Sequence, residues 1–189
     1  MTAKIKLNAA SGGGSVAFEG PASLGTDKVI KFPTAPGVIV QVVSAVKTDT
    51  SSSSSDSFAN IPSLSVSITP TASTNKMYVI ANVTGSSPNQ LRLRLAQDGT
   101  AIGTGTADGN RDGIGGIVQR SNQSDYGFQA TTMQVLTAAI GDTSSHTFTA
   151  QFAIETGGGA SYIGRNINDL NNDSGFRASS HITVMEVTV

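Results

Sequence analysis

Between residues 64 and 69 the chain alternates strictly, Leu64-Ser65-Val66-Ser67-Ile68-Thr69, so every second side chain is apolar and each one between is a small hydroxyl. Successive side chains of a strand point to opposite faces, which puts Leu64, Val66 and Ile68 together on a dry face and the hydroxyls on a wet one. A helix would scatter the same residues around its circumference. Pro70 then stops the run, since it has no amide hydrogen for a ladder. The pattern returns at Met77, Val79, Ala81 and Val83, at Leu91, Leu93 and Leu95 against Arg92 and Arg94, and at Phe148, Ala150, Phe152 and Ile154 against Thr147, Thr149, Gln151 and Glu155. Good helix formers are nowhere gathered into windows of helical length. These are antiparallel strands with one wet side.

Turn residues fall between the runs: Gly85-Ser86-Ser87-Pro88-Asn89, Asp98-Gly99, Gly141-Asp142 and Gly157-Gly158-Gly159. Asp98-Gly99 suits a two-residue hairpin, because both positions accept positive φ. The spacing predicts strands at about 38–47, 63–69, 76–84, 90–97, 100–104, 128–137, 146–155, 160–166 and 180–188, joined as an all-β, antiparallel β-sandwich or jelly-roll-like domain over residues 36–189. Residues 1–35 read as an anchor or stem, with short strand-like pieces at Ile5–Leu7, Val16–Phe18 and Val29–Phe32 and too few apolar neighbours for a core of their own. The hydroxyl run Thr48–Ser57 reads as a solvent-exposed loop.

Composition narrows the function classes. Charged residues are 13% of the chain and the net charge is −1, about half the charged share of an ordinary domain, with no basic cluster. Nucleic acid and anionic membranes both select for clustered Lys and Arg, so neither is an expected partner. With no cysteine, thiol catalysis and zinc–cysteine sites are excluded. The apolar run Val38–Val43 is far shorter than the ~18 residues a membrane helix needs, and Met1–Leu7 leads too quickly into glycine for a secretory signal, so a soluble chain is expected.

Catalytic patterns are thin. His146 and His181, the two histidines, fall at or inside predicted strands, and neither the Gly-x-Ser-x-Gly elbow nor the His-Glu-x-x-His motif occurs. No enzyme activity and no cofactor are expected. Asp108-Gly109-Asn110-Arg111-Asp112-Gly113 matches the first half of a calcium loop, in which Asp108, Asn110 and Asp112 would supply oxygens, but position twelve is Gln119 rather than a bidentate glutamate. The plain alternative is a β-turn rich in Asx and Gly. A second polar loop offers the best recognition surface: Arg165, Asn166, Asn168, Asp169, Asn171 and Asn172, with Tyr162 and Phe176 nearby. Amides and carboxylates hydrogen-bond sugar hydroxyls, and an aromatic face covers the apolar side of a sugar ring. A solvated connection is the alternative. In the last strand, Ile182 to Val189, the apolar parity shifts at Val184-Met185. Either a bulge lies there, or Met185, Val187 and Val189 are covered by another subunit.

Several blocks resemble a known group. Ile5-Lys6-Leu7-Asn8-Ala9-Ala10-Ser11-Gly12-Gly13-Gly14-Ser15-Val16 followed by Lys28-Val29-Ile30-Lys31-Phe32-Pro33-Thr34 is similar to the opening of fibre-like structural proteins of bacteriophages, especially those of marine and cyanobacterial hosts. Gln41-Val42-Val43 with Lys47-Thr48-Asp49-Thr50, Leu64–Pro70, Asp98–Gly103 and Ile182–Val187 resemble the blocks that follow in those proteins, and together they span nearly the whole chain. The resemblance implies a virion component: a homotrimeric tail fibre or receptor-binding spike, attached to other virion proteins through residues 1–35 and touching host surface polysaccharide through its loops. This chain lacks the extended shaft of longer fibres, which makes a capsid decoration or head-fibre protein the competing reading.

Overall fold

The computed structural model describes residues 4–8, 15–19, 37–119, 128–157 and 159–189, the first two segments as backbone. The chain divides into two compact units, Met1–Thr34 and Ala35–Val189. In the first, β1 (Lys4–Asn8) and β2 (Ser15–Glu19) pair antiparallel with Ile5 opposite Phe18. The strand expected at Val29–Phe32 lies outside the described residues.

The second unit holds β3 (Ile39–Lys47), β4 (Ser51–Ser53), β5 (Ala59–Ile68), β6 (Lys76–Ser86), β7 (Leu91–Gln97), β8 (Thr100–Ile102), β9 (Gly116–Val118), β10 (Gln129–Ala139), β11 (His146–Ile154), β12 (Ser161–Ile163) and β13 (Ser180–Val187). All pairings are antiparallel. One sheet runs β3-β13-β6-β10, with β12 and β4 extending it beside the far end of β6. The other runs β5-β11-β7, with β8 and β9 sharing the outer edge of β7. The chain switches sheets at almost every step, β3 to β5 to β6 to β7 and β9 to β10 to β11 to β13, and that order makes the sandwich a jelly roll.

The alternating runs fill the space between the sheets. Leu64, Met77, Val79, Ala81, Val83, Leu91, Leu93, Phe148, Ile182 and Val184 are completely or almost completely removed from water. Asp98-Gly99 is the two-residue turn between β7 and β8, with φ of 49° and 84°, the positive pair a type I′ hairpin requires.

Four local expectations change. β5 begins at Ala59 and crosses Pro62, because a bulge there, with Ser63 at φ 64°, excuses the proline from the ladder and lets both Ile61 and Leu64 reach the core. The serine run is not all loop: Ser51–Ser53 pairs with Ser161–Ile163. β11 is buried on both faces, since Arg94, Asn60 and Phe58 cover Thr149 and Gln151 from outside. Finally, β13 keeps its parity. Ile182, Val184 and Glu186 all face inward, and the bulge lies in β3, where Glu186 pairs with Gln41 but Val187 with Ile39. The inward position after Val184 is a carboxylate, which disguised the alternation in the sequence.

Candidate functional site

The connection from β12 to β13 is closed at its neck. Gly164, at φ 77°, turns the chain where a side chain would meet the carbonyls of Asp49 and Ala178, and the backbone of Arg165 bridges that of Arg177. Ser86 Oγ donates to the Arg165 carbonyl at 2.8 Å and fixes the neck to β6. Beyond it, the Arg165 guanidinium lies 3.8 Å over the Tyr162 ring and donates to the Ile167 carbonyl at 3.1 Å. Asp169, in the left-handed region at φ 46°, sits between two guanidiniums, 3.7 Å from Arg165 and 2.5 Å from Arg177.

Asn166 is fully buried and serves the loop itself: its amide donates to the Ser174 carbonyl at 3.1 Å, and its Oδ1 has no protein partner. Asn172 accepts from the backbone of Ser174 through its side chain and of Gly175 through its carbonyl. Asn168, Asn171 and Phe176 are exposed, and a recess of about 290 Å³ is lined by Asp169, Leu170, Asn171, Asn172, Gly175 and Arg177. Thus the fold gathers Asp169, Asn171 and Asn172, covers one face of Tyr162 with Arg165, and puts Asn166 inside. Arg177 joins them through its ion pair with Asp169 and the backbone bridge to Arg165, a pairing no local motif announces. The outward groups are amides, the Asp169–Arg177 ion pair, the exposed Asp173 and the half-exposed Phe176, a set suited to hydrogen bonding with polar ligands.

The Asp108–Gly113 segment folds as a hairpin turn, with Asp108 and Arg111 exchanging backbone hydrogen bonds around Gly109 at φ 59°. Asp108 pairs with Arg111 and Asp112 with Arg92, so the two carboxylates are directed to different cations. Asn110 is exposed. Among the described residues, no group of three or more His, Asp or Glu side chains is placed to hold a metal. Beside this turn lies a larger recess of about 420 Å³, reached by Gln90, Arg92, Asp112, Ile117 and Glu155. Its assembly from β7, β9 and three loops left no mark in the sequence beyond an outward arginine.

Of the histidines, His181 is exposed and hydrogen-bonded to Ser179 at 2.9 Å, while His146 is buried at the start of β11 between two carboxylates. Met185 and Val187 point outward and are partly exposed, and Val189 is 63% exposed.

No protein-family model matches the chain, and no curated protein matches it. Among solved structures it is similar to a chain in the structure of infectious bursal disease virus, Gx strain, at 16% identity and a TM-score of 0.38, covering 96% of this chain and 47% of that one. The chain thus spans about half the length of that neighbour. The fold assignment rests on the strand order itself.

Proposed function

We propose that the chain is a structural protein of a bacteriophage particle: a short homotrimeric fibre or spike that adheres to the host surface. Residues 1–35 attach it to other virion proteins, and the jelly roll carries the exposed loops. The observation that carries this reading is the contrast between the two outer sheet faces. Over β5-β11-β7 the outer groups are tied into a polar lattice, Arg94 to Gln151 and Gln151 to Asn60, each at 2.8 Å. Over β3-β13-β6-β10 lie half-exposed valines and leucine, including Val42 at 54% and Leu136 at 53%. A domain finished on one side and apolar on the other suits a building block packed among copies of itself. The block-by-block likeness to phage fibre proteins supplies the setting.

Contact with the host falls to the amides of Asn168, Asn171 and Asn172 with Phe176, which suit neutral polysaccharide. Three weak sites on one rigid trimer raise avidity without a tight pocket. The role is non-enzymatic. The test is binding of purified protein to host cells with host polysaccharide as competitor, alongside antibody labelling of phage particles. Competable binding with labelled fibres is the expected result. Particles that carry no label contradict a virion role.

One observation favours the second reading, a purely architectural decoration of capsid or head. Both arginines of the β12–β13 connection, Arg165 and Arg177, are engaged by Asp169 of the same loop, so its cations serve the shape of the loop. Stable attachment to fibre-free capsids, with no binding to cells, would select decoration over adhesion.

A further inference from the structure

We propose that the outer face of the β3-β13-β6-β10 sheet packs against the same face of sister copies of this chain. The proposal deepens the homotrimer reading above by naming the surface that would join the copies. The strand register lays the residues out in rows. Met185 pairs with Val42 on one side and Tyr78 on the other, and Tyr78 pairs with Leu136, giving an apolar row across all four strands. The next row is Ser44, Thr183, Ile80 and Gln134, and below the first row Val187 lies beside Ile39. Of the nine large hydrophobic residues that are exposed among those described, six belong to this sheet or its immediate start: Val38, Ile39, Val40, Val42, Val46 and Leu136.

Three further observations select a copy of the same chain as the occupant. First, the two central rows contain no charged residue and one cation, Lys76, stands opposite Val187 at the margin, so a nucleic acid, a membrane headgroup or a strongly charged protein finds little to pair with, whereas the central rows of a second copy are an uncharged match. Second, two of its polar side chains are already engaged within the sheet, Tyr78 donating its hydroxyl to Gln134 at 2.8 Å and Asn82 its amide to Thr132 at 2.9 Å, which lowers the cost of covering them. Third, the size fits. Four strands at about 4.8 Å spacing and some eight residues at about 3.3 Å give a footprint of roughly 500 Å² per copy. Three such faces turned to a common axis bury roughly 1,500 Å² across the trimer, each copy sharing its face between two neighbours, within the range of a specific assembly. The edge strand adds its own pressure, because residues 38–46 include no charge to deter uncontrolled pairing.

Light scattering on the full chain at micromolar concentration, with three variants, tests this. The expected mass is three times the 19.3 kDa chain. Val42→Asp and Leu136→Asp, each at a half-exposed position, should bring the mass down to one chain with an unchanged circular dichroism spectrum, and Ser67→Asp on the opposite sheet should leave the assembly whole. Ser44→Lys in the second row replaces either variant if it does not fold. A wild-type monomer overturns both this surface and the trimer. An assembly untouched by Val42→Asp, Leu136→Asp and Ser44→Lys overturns this surface alone. A monomer with Leu136 shielded from solvent would put a segment of the same chain on the face and likewise overturn it. Loss of assembly in the variants, together with phage particles that carry no copy of the protein, would uphold the surface and defeat the virion reading.

Discussion

His146 presents Nδ1 to Asp98 Oδ2 at 2.7 Å, joining the start of β11 to the β7–β8 turn. Its other nitrogen faces Asp142 Oδ1 at 3.1 Å. Carboxylates only accept, so this placement favours the imidazole with protons on both ring nitrogens, its cationic form. The hydrogen bond to Asp98 raises the His146 pKa above its ordinary 6.5; burial opposes this, and Asp142 adds to the rise. Asp98 and Asp142 are both held below the ordinary 3.8: in Asp98 burial is outweighed by hydrogen bonds from Thr147 and His146, and in Asp142 the bonds from Ser144 dominate.

The sign of the pH dependence follows. A histidine with a raised folded pKa adds stability that is complete below its unfolded value and lost as pH climbs through the folded one. The two carboxylates add stability that is present above 3.8 and lost as pH falls through their depressed values. Melting temperature should therefore be highest in mildly acidic buffer and decline on the alkaline side, and Asp98→Asn should flatten that decline. Thermal scans between about pH 5 and 9 measure it, and the His146 ring resonances should titrate above 6.5.

Among the described residues, Glu186 pairs with no cation. It is fully buried, accepts at Oε1 from the Thr71 amide at 2.8 Å, the Thr71 hydroxyl at 2.7 Å and Asn75 at 2.5 Å, and accepts at Oε2 from Gln41 at 2.6 Å. Burial alone would raise its pKa, but the bonds from Asn75, Thr71 and Gln41 outweigh it and hold the group below 4.5. Glu186→Gln turns an amide donor toward donors and should cost about 2–3 kcal/mol in urea unfolding near neutral pH. The difference from wild type should shrink as pH falls through the depressed pKa.

Gly85 is pressed between strands. It pairs with Gln129 on one side and Ile163 on the other, and an added Cβ would lie 2.5 Å from the Tyr162 carbonyl. Gly85→Ala should push β12 off β6 and destabilise by about 1–3 kcal/mol. Amide exchange should speed up first in Ser51–Ser53 and Ser161–Ile163.

Asp169→Asn removes the ionic partner of both Arg165 and Arg177 while leaving the sandwich alone. The paired groups are partly solvated, so global stability should fall by less than about 1 kcal/mol. Amide exchange should instead rise locally through residues 165–177. A collapse of the whole fold would show that the connection is part of the core.

Much of this fold is legible because period-two alternation is a local signal: Met77, Val79, Ala81 and Val83 announce their face without reference to any partner. Asp98-Gly99 is local in the same way. What escaped the sequence depends on residues brought together from afar. Ser51–Ser53 looks like a solvated run until Ser161–Ile163 lies beside it, and Glu186 looks like an outward residue until Thr71, Asn75 and Gln41 surround it. The candidate loop was half legible for the same reason. Its polar composition marked it as exposed, but the inward turn of Asn166 and the recruitment of Arg177 are set by the closed neck at Arg165.

Hydroxyl-radical footprinting of the full chain at assembling concentration probes the apolar sheet face directly. Met185, Tyr78 and Leu136 should be protected while the half-exposed Phe176 is oxidised, and Val42→Asp should restore labelling at all three. Equal labelling of Leu136 and Phe176 in the wild-type protein would contradict this protection.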